Sequence, residues 1–459
     1  MSQKLVVVEA NEVPPRVFEE YAKRFPQSAI AHLLREAVFG ATVADDVEED
    51  FLYPSQSWAS FNTGLPYSSH KVHWYNDPKD FGSFYWHAAA KKGLATVLVN
   101  TLHSSPLQAY AHEGNYAFVI PDCFSPDSET IPQEFSAFQG FNRAVTVANG
   151  RKSSLSSVLL SSASSFTRRP IPGRWGLDLA SFGDVLRCAA GAALGRVERV
   201  RNAQFPLLAS MFLKAMRQTD AALSVLFSNH VAANQHRYWY ALYPSDYTEA
   251  VYDERWVRRY ELEIINAMSL LDRWLAKIVS FCMQTDRALI VTSSMGQTGN
   301  RKLSKESTKR SSHFRVAEPD RFARHVFPPG SRWTNEAAMV PQYAFKFGTE
   351  AEAEAAHQHA SIALGEMKGL SCKVEHAGSK VTLTVGVVSE DDMEIVGKHL
   401  TLGDLGVERI SVDDHHSGRH HPIGSLIVYN DKSNAFRSWH GGATPYLRYA
   451  PALREYLLH

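Results

Sequence analysis

Five short clusters of side chains in this chain are of types that carry out chemistry. They are Asn11-Glu12, Ser55 to Ser60, Asn229 to His236, Ser293 to Gln297, and the tract "DDHHSGRHH" from Asp413 to His421. A serine hydroxyl in the first turn of a helix sits near backbone N–H groups and the positive end of the helix dipole, which favour an alkoxide and a bound phosphate or sulfate. Imidazoles grouped with a carboxylate can hold a divalent cation or move protons. Each cluster also has a plainer reading. A serine before a helix is commonly its N-cap, a lone histidine a hydrogen-bonded core or surface residue, and Asn-Glu after a strand a turn. His-rich tracts are a compositional cue for metal, although Gly418 makes the last tract read as a loop.

The elements that must position these groups follow from hydrophobic patterning. "KLVVVEANEV" reads as a buried parallel strand that delivers Asn11 and Glu12 at its carboxyl end. "FYWHAAAKKG" and "LATVLVN" give a helix, a glycine stop and a second buried strand, a βα rhythm that argues for a parallel sheet. "LYPSQSWASFNTGLPYSSHKV" (52–72) enters a helix near Trp58. "ALSVLFSN" and "RALIVTSSMGQ" are further strands with polar ends, and "IGSLIVYN" is a strand preceded by the His-rich tract. In open parallel sheets, ligands bind outside the carboxyl ends of the strands, so four clusters fall at that edge and the fifth just before a strand.

The expected division is a core over 1–124, a helical insertion over 125–215, core again over 216–335, a small α+β insertion over 336–402, and a closing core segment over 403–459. The first insertion holds the serine-rich "RKSSLSSVLLSSASSFTRR" and the Pro/Gly pair of "RRPIPGRWG". The second holds "SCKVEHAGSKVTLTV", which reads as a hairpin. The fold class is α/β, a three-layer sandwich with a mostly parallel central sheet.

Composition narrows the function. Of 459 residues, 44% are hydrophobic and 21% charged, an ordinary globular balance. Lys plus Arg and Asp plus Glu both total 48, so no global field draws in nucleic acid or an anionic membrane. The basic run "RKLSKESTKRSSHFR" (301–315) reads as a solvated loop. Four dispersed cysteines form no CxxC pair, which fits a reducing compartment. No apolar run is long enough for an integral membrane segment, and no secretory pattern opens the chain, so a cytoplasmic location is expected. Neither GxGxxG nor a Walker loop follows the first strand, which argues against a dinucleotide or P-loop site.

Taken in order, the clusters resemble the alkaline phosphatase superfamily, in particular its type I phosphodiesterase/nucleotide pyrophosphatase branch. "VVVEANEVP" resembles the opening strand, with Asn11 and Glu12 where that branch has Asp-Gly. "SQSWASFNTGLPYSSH" resembles its nucleophile segment through Ser57-Trp58, Thr63-Gly64, Pro66 and His70. "AANQHRYW" offers His236 with Ala232 in an Asp position, "IVTSSMGQ" stands where the branch has Ser-Asp-His-Gly, and "GRHHPIG" resembles "GxHxPxG" with His420 as ligand. The resemblance implies a covalent mechanism with Ser57 as nucleophile, Ser55 in reserve, and catalytic roles for Glu12 and Asn11. It implies metal ligation by His236, His420, Glu12 and Asn11, and substrate contacts from Trp58, Asn229, His230, Ser294 and Gln297.

The departures bear on the metal. Two divalent ions close together need anionic oxygens between and around them, and three Asp positions are here Asn11, Ala232 and Ser294. One divalent cation, zinc foremost, is therefore expected rather than two, or none. Its third ligand would be Glu12, Asn229, His230 or Asp414. The expected function is a phosphodiesterase- or phosphatase-like hydrolase or transferase acting on a small phosphorylated or sugar-containing substrate. The insertion residues Phe135, Phe138, Gln139, Phe141 and Asn142 would suit a glycan or nucleotide-sugar. Two alternatives stand beside it: metal-independent acid/base chemistry on a saccharide, of the kind the resemblance links to bacterial surface-polysaccharide synthesis, and a non-catalytic descendant that binds a ligand.

Overall fold

The computed structural model describes the chain except residues 1–2, 76, 149–178, 194–195, 197–198, 306–312, 337, 339–341, 366–369, 388–393, 396–397, 411–415 and 459. The serine-rich stretch, the Pro/Gly pair, residues 306–312 of the basic run, and Asp413, Asp414 and His415 lie outside the described residues. Two compact units are resolved: Met1–Asn142 with Ala163–Ser304 and His416–His459, and Arg143–Ser162 with Lys305–His415.

The first unit is built on an eight-stranded sheet. Its strands are β1 (Leu5–Ala10), β2 (Val38–Val43), β3 (Thr96–Val99), β4 (Tyr116–Ile120), β5 (Leu223–Ser228) and β6 (Ala288–Thr292), then, after a short β7 (Gly296–Gly299) and β8 (Gly418–His421), β9 (Ile423–Tyr429) and β10 (Ala443–Pro445). Their order is β10-β2-β9-β6-β1-β5-β3-β4. Neighbours pair in parallel except at β9, which runs antiparallel to both β2 and β6. Every residue of β1 is buried, as a β-branched run between two helical layers requires.

The two faces of β1 are covered differently. Val6, Val8 and Ala10 join a core with α1 (Pro15–Arg24), α2 (Ala29–Glu36) and a long later helix, Glu263–Gln284. The opposite face meets α3 (Pro54–Thr63), α4 (Tyr85–Lys91) and the closing helix Tyr449–Leu458. This is the expected α/β sandwich. Within 125–215 the structure departs from the expected cap. α5 (Ser136–Ala148) is followed, after intervening helices, by α6 (Gln204–Thr219), which packs against β3 and β5 and buries Phe205, Leu208, Phe212 and Met216. It is a crossover helix of the sandwich, and Phe135 and Phe138 belong to the same core.

The second unit has a four-stranded antiparallel sheet in the order 370–377, 380–387, 342–347, 333–336, with helix Glu350–Gly365 burying Ala353, Ala356 and Ala360. The expected hairpin is there, with Ala377 opposite Lys380 and Gly378 at positive φ in its turn. A further ladder pairs His313–Val316 with Val407–Ile410, so the unit reaches beyond 336–402 at both ends.

One acid on β1 carries no site chemistry but bears on stability. Glu9 is fully buried and receives one hydrogen bond, from Asn62 Nδ2 at 3.0 Å, while its Oε2 has no partner. Burial pushes its carboxyl up to about 8 against the Asn62 bond, so it stays protonated near neutrality. The stability this neutral form confers is fully present below the ordinary value of 4.5 and is lost as pH rises through about 8. Each pH unit in that window costs about 1.4 kcal/mol. Wild-type Tm should therefore fall from pH 6 to pH 9, and Glu9→Gln should flatten that slope; parallel profiles for the two proteins would contradict a buried neutral carboxyl.

Candidate active site

The carboxyl edge of the sheet collects the ends of β1, β3, β4, β5 and β6, and the reversed β9 begins at that same edge. The residues just before β9 therefore return to where the parallel strands end. β8 pairs with β7 so that His420 lies opposite Gln297 and Gly418 opposite Gly299. Opposed residues on an antiparallel pair share a face, and both side chains reach Glu12. Behind them runs α7 (His230–Leu242), which carries Gln235 and His236. The approach is tight at Gly418, where a Cβ would lie 2.5 Å from the Gln235 carbonyl oxygen.

Glu12 is the centre of this arrangement. Its backbone is left-handed, φ +57°, a conformation uncommon outside glycine that turns the chain sharply after β1. The carboxylate is 2% exposed. Its Oε2 lies 2.9 Å from His236 Nε2, 3.5 Å from His420 Nε2 and 2.5 Å from Gln297 Nε2, which donates to it. Its Oε1 accepts from Asn11 Nδ2 at 2.8 Å, and Gln235 Nε2 donates to its backbone carbonyl at 3.0 Å.

The imidazoles are oriented from behind. His236 Nδ1 faces the Gly418 carbonyl at 3.4 Å, and His420 bonds the Leu52 backbone. A ring nitrogen that donates to a carbonyl fixes the tautomer and leaves Nε2 with a lone pair. His420 Nε2 is buried and has no hydrogen-bond partner. Two imidazole Nε2 atoms and one carboxylate oxygen lie within 4.8 Å of one another, a group suited to a metal ion.

The charges are coupled. Burial alone would raise the Glu12 carboxyl, but His420 and His236 beside it, with hydrogen bonds from His236 and Gln297, outweigh burial and hold it at about 2. Burial pulls His236 down, yet the charge and hydrogen bond of Glu12 carry it above its ordinary value. Burial lowers His420 against the pull of Glu12, with His236 adding to the lowering. Without a cation, Glu12 is ionised, His236 is drawn towards its protonated form and His420 away from it.

Asn11 stays out of the metal-capable group. Its Oδ1 accepts from Trp58 Nε1 at 2.7 Å, and its Nδ2 donates to Glu12 and to Asn229 Oδ1 at 2.7 Å. The amide hydrogens and one lone pair of the oxygen are thus spent on Glu12, Asn229 and Trp58 rather than on the two imidazoles. His230 is likewise turned away, with Nδ1 on Ser228 Oγ at 2.6 Å, Nε2 on the Ala267 carbonyl at 3.1 Å and its ring stacked on Phe205; burial takes it down to about 3. The insertion residues proposed for substrate are also committed elsewhere. Gln139 donates to the Asp122 carbonyl and Asn142 to Asn100, both fully buried, while Phe141 packs on the core.

Ser57 is the fourth residue of α3 and not its cap, since its N–H already donates to the Tyr53 carbonyl. It is buried, with its Oγ 2.8 Å from Ser294 Oγ and 3.4 Å from the Pro54 carbonyl. Ser55 spends its hydroxyl on the His73 carbonyl at 2.6 Å. Ser60 lies beside His70 Nε2 and Asp46, which has the look of a nucleophile triad. It is wired the other way: His70 Nδ1 accepts the Val72 N–H, so Nε2 holds the proton and the ring donates to the serine. Gln235 and the carbonyls of Leu52 and Gly418 were not anticipated. Gln235 was legible as the neighbour of His236, whereas backbone carbonyls leave no mark in a sequence.

No family model matches this chain, and no curated protein matches it. Among solved structures, it is similar to murine ectonucleotide pyrophosphatase/phosphodiesterase 5 (12% identity, 99% of this chain and 95% of the other, TM-score 0.39). It is similar to phosphonoacetate hydrolase from Sinorhizobium meliloti 1021 (14%, 99% and 96%, TM-score 0.40), and to alkaline phosphatase from the Antarctic bacterium TAB5 (8%, 100% and 99%, TM-score 0.37).

In metal-free protein, Glu12→Gln removes the anion that holds His236 up, leaving burial as the dominant influence. The His236 titration followed by NMR should move from above the ordinary 6.5 to below it; an unchanged titration would mean that the 2.9 Å contact does not govern the charge of the site.

Proposed function

We propose that this chain is a hydrolase or transferase acting on a small phosphorylated or sugar-containing molecule. In this reading Ser57 is the nucleophile, and Glu12, His236 and His420 hold a single divalent cation, zinc foremost. The observation that supports it best is the direction of the two imidazoles. Each uses a backbone carbonyl on its far side and aims Nε2 at the same carboxylate oxygen. Two lone-pair nitrogens converging on an anion repel unless a proton or a cation sits among them. Three protein ligands with a position left open is the pattern of catalytic zinc. When bound, such a cation would supply Lewis-acid stabilisation of charge developing on a phosphoryl or acyl oxygen.

The residues of the chain divide the remaining work. Ser57 would attack from the first turns of α3, whose positive end favours negative charge nearby. The Tyr53 side chain at the N-cap does not cap that end. Among the described residues, the hydrogen-bond partners of Ser57 Oγ are Ser294 Oγ and the Pro54 carbonyl, so Ser294 is the first station for its proton. Gln297 holds Glu12 in place. One carboxylate offers too little anionic charge for two close divalent ions.

A second reading has its own observation. Glu12 Oε2 and His236 Nε2 already lie 2.9 Å apart, a carboxylate–imidazole pair that could serve metal-free acid/base chemistry on a saccharide. Elemental analysis of protein purified without chelator separates the two. The first reading expects one zinc per chain, lost in His236→Ala and in His420→Ala. It also expects hydrolysis of a generic phosphodiester to fall at least about 100-fold in Ser57→Ala, while Ser55→Ala keeps turnover and loses about 1 kcal/mol of stability. Metal-free protein with full activity would overturn it.

A further inference from the structure

The Glu12 carboxylate can serve the proposed site only if Oε2, and not some other rotamer's oxygen, faces the two imidazoles. What sets that rotamer is visible from α3. The Trp58 indole is an obligate donor and the Glu12 carboxylate an obligate acceptor. Asn11 lies between them, 2.7 Å from the indole nitrogen and 2.8 Å from Glu12 Oε1. Amide orientation is ordinarily ambiguous, but partners of fixed polarity on both sides remove the ambiguity. Oδ1 must face Trp58, and Nδ2 must face Glu12. Flipping the amide would set N–H against N–H on one side and oxygen against oxygen on the other, a costly arrangement with all three side chains buried.

We propose that Trp58 is a positioning residue for the metal-capable carboxylate: its indole N–H locks the Asn11 amide, and the amide in turn locks Glu12 Oε1, leaving Oε2 for His236 and His420. Trp58 therefore acts at the site without touching substrate, although sequence reasoning had placed it against substrate. Because Trp58 follows Ser57 on α3, one helix sets both the hydroxyl and the carboxylate. The relay also gives a reason for Asn at position 11. An Asp there could accept from the indole but would set a second anion against Glu12, raising one of the two carboxyls. This inference rests on the proposed single-cation reading for its consequence, but not for its hydrogen bonds.

The test is cobalt binding, followed by visible absorption, in wild type, Trp58→Phe, Asn11→Leu and the double variant. Ser60→Ala serves as a control on the same helix, since its hydroxyl bonds Asp46 and His70 and not the indole or the amide. Trp58→Phe and Asn11→Leu should each weaken Co²⁺ binding about 10- to 100-fold, the usual effect of removing an outer partner of a ligand. The double variant should be no weaker than Asn11→Leu alone, because each change breaks the same relay, and Ser60→Ala should bind as wild type does. Wild-type affinity in Trp58→Phe, or effects that multiply in the double variant, would overturn the relay. A wild type that binds no Co²⁺ would instead sink the proposed function. The relay is then read by NMR alone: the Trp58 indole proton should move upfield in Asn11→Leu as it loses its acceptor, and an unmoved resonance would overturn the first link.

Discussion

A carboxylate withdrawn from water must have its charge met by its neighbours, because an isolated buried charge would otherwise cost many kcal/mol. At Glu12 that demand is answered by five parts of the chain. β1 supplies the turn, Asn11 a donor, α7 His236, the β7–β8 ladder Gln297 and His420, and α3 the Trp58 indole behind Asn11. None of these groups reaches Glu12 unless its own element is in place. The site is thus the point at which the carboxyl edge of the sheet is cross-linked by polar contacts.

The direction of a single strand makes this closure possible. β9 is the antiparallel member of an otherwise parallel sheet, and its beginning lies where the other strands end. Without that reversal, the His-rich segment before it would sit at the opposite edge. The short ladder of β7 and β8 then converts chain direction into side-chain direction, because His420 and Gln297 are opposed in register. Gly418 permits the close passage of α7 behind the ladder.

Two buried acids on one segment show how environment divides roles. Glu9 and Glu12 are three residues apart and similarly enclosed, yet one is pushed up to about 8 and the other held at about 2. Burial acts on both. Glu9 has a single amide donor, whereas Glu12 has two imidazoles and two amides. The same contrast explains what the neutral Asn11 contributes. In a centre crowded with acids its position would ask for more cations; as an amide it spends both hydrogens on neighbours and confines the anionic charge to Glu12.

The sequence by itself determined the strands of the sheet, because β-branched runs such as "LVVVEA" and "ALIVT" between polar ends have few other uses. It also determined which polar clusters end at the sheet's edge, among them those that hold Glu12 and His236. It did not reveal that α6 belongs to the core, since a helix buried on most sides loses the one-faced pattern that marks a surface helix. Nor did it separate Asn11 and His230 from the trio: a residue type states what a side chain can bond, and its hydrogen-bond partners decide what it does bond. Those partners lie far apart in sequence, as Glu12 and Gln297 do at 285 positions. Only the tertiary structure decided them, because register and strand direction, which bring distant backbone carbonyls behind each imidazole, are properties of packed elements and not of any local stretch.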